Sequence, residues 1–476
     1  MSGNNEYIKR LGLNNLTRDQ LDKIHQATLD ILEEGGVKVC CGDALLLLKE
    51  AGATVDGDLA RIPRSLVEKA LRLAPARVVI YDRQGEPAMI LEKDRVYFGP
   101  GSDTPYVIDL DSGQRRKSLY DDTVRAVRVA DALEHIDFIM SMARANDRPA
   151  ERADRYHFEA MVTNSTKPII FDATGKAGLS DIIEMATVVT GSRKELAERP
   201  FIIHYTEPTS PLIHSRPALE KMLVAAEAKI PLVYAPAVMC GATGPVTTAG
   251  SLVVANAEML SGLVIQQLKA EGAPFIYGGG TPPLNMITAI CTYGDPQGNL
   301  GWASLIQLAR YYNLPSFSTA GCSDAQVFDQ QAAMEAGLNL FITALAGGNL
   351  IHDLGYIGSG LITSLEFLVM CNETAGAIKF MTRGVEVSPR TLAVDVIRKT
   401  GPGGHFLTDQ HTFENFRSEM HYTRLLNRNN YSNWVAAGSK SAGDSAKDLV
   451  NELLHWHEIP RLDLSLEERI HRIAAG

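Results

Sequence analysis

The sequence predicts an α/β protein, a (β/α)8 TIM barrel with helical N-terminal and C-terminal extensions. Three observations carry this expectation. First, a phrase recurs along the middle of the chain: a proline, four to six unbroken apolar residues, a polar or glycine-rich exit, and a helix-like segment. Second, the apolar runs do not alternate with polar residues, as expected of strands covered on both faces. Third, five such strands and three weaker ones bring the count to eight. Alternating strands and helices imply a parallel sheet, and eight repeats imply a barrel of ~250 residues.

The elements follow in order. Residues 1–92 read as a helical extension with a small hairpin. TRDQLDKIHQATLDILEEGG (17–36) is an amphipathic helix with a Gly-Gly stop, and VVIYDRQGEPAMI (78–90) turns around Gly85. The barrel is expected over 93–390, with strands near 95, 137, 168, 200, 231, 274, 315 and 349. Five of them start at a proline (Pro168, Pro200, Pro231, Pro274, Pro315), which a strand tolerates at its first residue and not in its middle. Ser118 with Asp121 has the spacing of a capping box opening the helix after the first strand. The stretches 216–229, 246–271, 299–313 and 326–347 have helical spacing, the last ending at Gly347-Gly348. Residues 391–476 read as a helical extension packed on the barrel. An open doubly wound sheet is the alternative, but no G-x-G-x-x-G follows the first strand.

Composition excludes some partners. The net charge of −10 gives no basic face for nucleic acid. The first residues, MSGNNEYIKRLG, lack an apolar core of a signal peptide, and apolar runs are broken before 18 residues, so a cytoplasmic protein with no membrane contact is expected. The six cysteines have no C-x-x-C spacing and read as reduced thiols. No H-E-x-x-H, strand-borne H-x-H or G-x-S-x-G is present, so no metal is expected. His455-Trp456-His457 falls in a helix-like segment and reads as exposed.

In such a barrel the site lies where the strands end. The strand ends deliver Tyr97, Ser102 and Asp103; Arg144; Asp172; His204, Tyr205 and Glu207; Tyr277; Asp324; and His352, Asp353 and Tyr356. The recurring tyrosines fit a cage for a quaternary ammonium, a cation held by ring faces because it cannot donate a hydrogen bond. The candidate binding residues are Tyr97, His204, Tyr205, Glu207, Tyr277, Asp324, His352 and Tyr356, with His204 and His352 as positioning groups. His352 and Asp353 are neighbours on a strand and should point to opposite sides, so only one is expected in the site.

The segment GCSDAQVFDQQAAMEAGLNLFITALAGGNLIHDLGYIGSGLITSLEFLVMCNE (321–373), with HYTEP (204–208), GPGGHFLTDQHTFENFR (401–417) and RNNYSNW (428–434), resembles the trimethylamine methyltransferase family. The chain uses only the standard twenty residues and so resembles the branch without pyrrolysine. The resemblance implies a barrel methyltransferase that moves a methyl group from a methylated amine to Co(I) of a cognate corrinoid protein. It implies cobalamin held by that partner and no cofactor bound tightly by this chain. It also implies a quaternary amine as substrate: glycine betaine first, giving dimethylglycine, then proline betaine or carnitine. Gly241, Gly244, Gly278, Gly279, Gly280, Gly358 and Gly360 would then give the corrinoid room to approach. A homo-oligomer is expected. The competing class is a non-catalytic betaine-binding protein.

Overall fold

The structure, a computed structural model, describes residues 12–476. The reading of the first residues as no signal peptide therefore lies almost wholly outside the described residues. Two parallel ladders organise the middle of the chain. In one, Ile169–Phe171, Ile202–Thr206, Leu232–Tyr234 and Phe275–Tyr277 pair in that order. In the other, Phe317–Thr319 pairs with Leu350–Leu354, which pairs with Tyr97–Pro100. A bridge between Tyr277 and Ser316 joins the two, and a bridge from Ile139 extends the first ladder at Ile169.

The segment expected as the second strand, near 137, makes no regular ladder. Asp137 N donates to Phe98 O (2.6 Å), and Phe98 N donates to the Asp137 carboxylate (2.8 Å). Lys379 Nζ donates to both oxygens of that carboxylate (2.9 and 2.8 Å). A salt-bridged side chain thus takes the place of a strand partner.

Between the strands run helices close to their expected bounds: Arg216–Glu227, Thr248–Lys269, Pro296–Tyr311 and Gln330–Ala346. Gly347 ends the last at φ +90°, a conformation that favours glycine. The capping box is shifted by one residue from its expected place. Asp122, not Asp121, accepts from Leu119 N (2.8 Å) ahead of Tyr120–Ala132, while Ser118 Oγ donates to Thr104 O (3.0 Å). Asp121 instead pairs with Arg125 one turn on.

The inner faces of the strands supply one apolar cluster: Phe138, Ile170, Ile203, Val233, Ile276, Phe317 and Leu350. The hairpin Val78–Tyr81/Pro87–Leu91 joins it through Val78, Ile80, Met89 and Leu91. Tyr81 N donates to Pro200 O (2.9 Å) and Arg83 N to Thr166 O (2.8 Å), just before two of the strands begin. The hairpin therefore plugs the strands' N-terminal ends, which leaves their C-terminal ends as the open side. Sequence reasoning missed a small sheet of Val37–Val39, Thr54–Asp56 and Leu59–Arg61, to which Ile213–His214 adds in parallel. It ties the N-terminal extension to the loop after Ile202–Thr206.

Thr248–Lys269 is long and apolar enough to cross a membrane, but 72% of its most apolar window is buried within the fold, as for a core helix. Two of its buried polar side chains tie it to other parts of the fold. Asn256 donates to Thr28 Oγ1 (2.9 Å) and Tyr312 Oη (2.8 Å) and accepts from Tyr277 Oη (2.8 Å). Glu258 accepts from Leu212 N (2.7 Å) and Ser210 Oγ (2.8 Å), and burial pushes its carboxyl up to about 7 from 4.5. The folded state holds this proton more tightly than the unfolded chain. The stability it contributes is therefore full below 4.5 and is lost as pH rises through about 7, a change of roughly 3 kcal/mol. Glu258→Gln is expected to flatten that loss, measured as the change in Tm between acidic and alkaline buffer.

In the C-terminal part, Ala442–Trp456 and Leu464–Ala475 lie against the outer helices. His457 is not exposed as expected. Its Nε2 lies 2.7 Å from Asp131 Oδ2 and fastens the end of this helix, while Trp456 faces solvent.

Candidate active site

A cavity of about 180 Å³ opens at the strands' C-terminal ends. Strand alternation decides what enters it. Ile203, Tyr205 and Glu207 share the inner face of Ile202–Thr206 and its exit, as Phe317 and Thr319 do on the next ladder. Tyr205, Tyr293, Trp302, Phe317 and Tyr356 make the aromatic walls. Asp103, Glu207 and Asp353 are its carboxylates, and among the described residues no lysine or arginine lines it.

His352 stacks on Phe317 with ring centroids 4.1 Å apart, and Tyr205 lies 5.5 Å from Phe317 and 6.4 Å from His352. His352 Nε2 is 3.0 Å from Thr319 Oγ1. Tyr205 Oη donates to Glu207 Oε1. Burial raises the Tyr205 phenol well above its usual range, so it stays a neutral donor. Burial also raises the Glu207 carboxyl, with the Tyr205 hydrogen bond pulling the other way. Glu207 sits in a recess that water reaches, although protein surrounds it on most sides.

The expectation for His352 and Asp353 is overturned. The pairing of Leu350–Leu354 with Tyr97–Pro100 slips between Ile351 and Leu354, and Asp353 adopts φ +76°. This bulge turns Asp353 back, so both residues line the cavity. Asp353 Oδ1 lies 2.8 Å from His352 Nδ1 but off the N–H direction, and Nδ1 makes no hydrogen bond among the described residues. The pair is a close charge contact and not an aligned dyad. Gly101 makes room for it: a Cβ there would come within 2.2 Å of Asp353 Oδ1 and 2.4 Å of the Tyr356 ring.

Four expected site residues lie elsewhere. Tyr97 starts its strand and stands at the plugged end, its hydroxyl accepting from Ile90 N (3.0 Å) in the hairpin. His204 points outward, fully buried beside Phe171, with no hydrogen-bond partner on either ring nitrogen among the described residues. Burial and the nearby Lys221 hold it neutral, well below its usual pKa. Tyr277 also points outward, into the Asn256 network. Asp324 lies behind the wall, accepting from Tyr293 N (2.9 Å), Gly294 N (2.8 Å) and Ser359 Oγ (2.8 Å). It clamps the loop that brings Tyr293 to the cavity. Tyr97→Phe is accordingly expected to leave substrate affinity within about twofold of the parent protein, measured by calorimetric titration.

Of the glycines in the strand exits, Gly279, Gly280 and Gly360 line the cavity. Beside Gly241, Gly244, Gly278, Gly279, Gly280 and Gly358 an added Cβ would meet protein within 2.4–3.1 Å, and only beside Gly360 is the nearest atom as far as 3.8 Å. They serve close packing; Gly280, for one, lets the backbone run against Trp302 Nε1. Tyr293 and Trp302 escaped sequence reading because they stand on the loop and helix beyond a strand end. A smaller adjoining cavity of about 100 Å³ shares Ser102 and Asp103 and holds Arg144, His157 and Asp172.

Fold and cavity together define an α/β enzyme with an acidic, aromatic-walled site at the C-terminal ends of parallel strands. The family model for trimethylamine methyltransferase (MTTB) matches residues 5–475. The chain is 34% identical over 435 residues to trimethylamine methyltransferase MttB of Desulfitobacterium hafniense (strain DSM 10664 / DCB-2), covering 91% of this chain and 88% of that one. It is 31% identical over 464 residues to the glycine betaine methyltransferase of Desulfitobacterium hafniense (strain Y51), covering 97% and 96%. The crystal structure of Methanosarcina barkeri monomethylamine methyltransferase superposes with a TM-score of 0.53 at 13% identity, over 94% of this chain and 89% of that one, a likeness of fold alone. The chain belongs to the trimethylamine methyltransferase family and is a methyltransferase.

Proposed function

We propose that the protein takes a methyl group from a small quaternary amine, glycine betaine first, and passes it to a corrinoid carried by a cognate partner protein. The observation that carries this reading is the cavity itself: aromatic faces and three carboxylates, with no lysine or arginine in the lining among the described residues. Such a site selects a cation, and ring faces suit one that offers no N–H. The volume, about 180 Å³, is of the size of one small amine. The relative named glycine betaine methyltransferase supports the choice of substrate. The two ladders with their bridges, and the hydrogen bond from Asp137 to Phe98, support reading the strands as a (β/α)8 barrel within residues 93–390, flanked by the two extensions.

When bound, the partner's cobalt supplies the nucleophile and accepts the methyl group. The C–N bond breaks with its electron pair left on nitrogen, so the departing tertiary amine is neutral and needs no proton from the protein. The chain's own residues then bind, orient and exclude water. Tyr205, Phe317, Tyr293 and Tyr356 face the ammonium. Glu207 and Asp353 supply the compensating negative charge. His352, whose Nδ1 has no hydrogen bond among the described residues, is the group to meet the substrate carboxylate, with Arg144 in the adjoining cavity. Because the ammonium loses its charge as the methyl group leaves, the cage serves selection and orientation more than rate.

The test is a methyl-transfer screen against Co(I) cobalamin, read by the cobalt spectrum, with glycine betaine, proline betaine, carnitine and trimethylamine as donors. Glycine betaine is expected to be fastest. Faster transfer from trimethylamine would overturn the choice of substrate, and transfer from none of the donors, with the cognate corrinoid protein also supplied, would overturn the reaction.

A further inference from the structure

We propose that Glu335 is a positioning residue that fixes the gap between the Tyr293 and Tyr356 walls of the cavity. By doing so it sets how well the site tells a fully methylated ammonium from one with a methyl group fewer. The inference rests on the function proposed above. The cavity has two kinds of wall. Tyr205 and Phe317 stand on laddered strands, Ile202–Thr206 and Phe317–Thr319, which hold them in place. Tyr293 and Tyr356 stand on strand exits, the first on the loop ahead of Pro296–Tyr311 and the second just past Leu350–Leu354. Their separation is set by what joins those two exits, and the exit of Phe317–Thr319 does so. Ser323 N donates to Tyr356 O (2.9 Å), and Gly358 N donates to Ala325 O (2.7 Å). On its other side, Asp324 accepts from the amides of Tyr293 and Gly294 and from Ser359 Oγ, so one carboxylate touches both exits.

The joining exit is gripped from behind by two side chains of Gln330–Ala346. Glu335 and Asn339 are four residues apart and share one face of that helix. Asn339 accepts from Gly321 N (2.7 Å) and donates to Cys322 O (2.9 Å). Glu335 Oε2 accepts from Ser323 Oγ (2.5 Å) and from Asp324 N (2.9 Å), while Gln331 Nε2 donates to its Oε1 (3.0 Å). Asn339 thus holds the root of the exit, and Glu335 holds the residue whose carboxylate reaches both walls. The loop of Tyr293 also packs directly on Glu335, since a Cβ on Gly294 would lie 2.3 Å from Glu335 Cδ. Trp302 backs the Tyr293 ring, but the Tyr293 backbone is placed by Asp324. The consequence is chemical. Contact energy falls steeply as a gap opens between a ring and a methyl group. A cage therefore separates three methyl groups from two only if its walls do not follow the smaller ligand inward, and the Glu335 carboxylate holds them apart.

The test is calorimetric titration of the full chain with glycine betaine and with dimethylglycine, which keeps the carboxylate and has one methyl group fewer. The parent protein is expected to bind glycine betaine at least ~10-fold more tightly, the scale of one methyl group in a fitted pocket. Glu335→Ala is expected to cut that ratio to about threefold or less. Glu335→Gln keeps an oxygen for Ser323 and Asp324 and is expected to restore the ratio; a purely structural role would lower both affinities and leave the ratio alone. Gly294→Ala puts a methyl group where the Glu335 carboxylate lies, and is expected to lower the ratio with the carboxylate still in the chain. Hydrogen exchange without ligand reads the joint itself: exchange in 292–294 and 356–359 should quicken in Glu335→Ala and not in Glu335→Gln. If the parent prefers glycine betaine and Glu335→Ala keeps the full ratio, or exchange is unchanged, the proposal fails alone. It fails likewise if Glu335→Gln behaves as Glu335→Ala does. A parent with no preference between the two ligands removes the function proposed above, and this role with it.

Discussion

Tyr205→Ala is expected to weaken binding of the methylated amine by about 2 kcal/mol, roughly 30-fold in Kd, the scale of a cation held over a desolvated ring. The effect is large because one side chain does two things. Its ring lies beside the stacked Phe317 and His352 rings on the cavity wall, and its hydroxyl donates to Glu207. Tyr205→Phe keeps the face and loses the donor, so it separates the two. Without that hydrogen bond the Glu207 carboxyl, already raised by burial, rises further. The sign is then fixed: a protonated Glu207 no longer attracts a cation, so affinity in the parent protein should increase as pH rises through the raised pKa. In Tyr205→Phe that increase should come at higher pH. Calorimetric titration of both variants across pH checks this, and an unchanged Kd in Tyr205→Ala removes Tyr205 from the site.

Trp302→Ala is expected to destabilise the protein by about 3–5 kcal/mol, the range for emptying a fully buried aromatic position. Trp302 is 1% exposed on Pro296–Tyr311 and stacks on Tyr293 with centroids 6.2 Å apart. Its ring also fills the space against Gly280 and Gly298. The loss is therefore a cavity behind the aromatic wall, and substrate affinity should fall with stability because Tyr293 loses its support. Trp302→Phe should recover part of both. Denaturant midpoints with an unchanged slope would measure the change. A loss below about 1 kcal/mol would show that the site collapses around the gap instead of keeping it.

Seven of the eight expected strands, and the helices between them, were legible in the sequence to within a few residues because proline, apolar runs and helical spacing are local signals; the segment near 137 makes no regular ladder. The strand phase was not legible. Where both faces of a strand are buried, the apolar run has no period, so nothing in FIIHYTEP says that Tyr205 faces in and His204 out. The same ambiguity put Tyr277 in the expected site, whereas it serves the Asn256 network. Tyr97 was misplaced along the strand axis, since a strand's first residue sits at the plugged end. Tyr205, Glu207, His352 and Tyr356 do line the cavity. Asp353 joins them only through a bulge and a positive φ, which an Asp-Leu-Gly sequence permits without announcing. The glycine-rich exits were visible, but what fills the space beside each glycine depends on distant side chains such as Trp302.

The central claim is that the cavity recognises positive charge on a tetrahedral, methylated centre. It is tested most directly by titrating the protein with glycine betaine and with 3,3-dimethylbutanoate, which has the same shape and carboxylate but carbon in place of the ammonium nitrogen. The account predicts that glycine betaine binds at least ~10-fold more tightly, about 1.4 kcal/mol. Equal affinity for the two would contradict it.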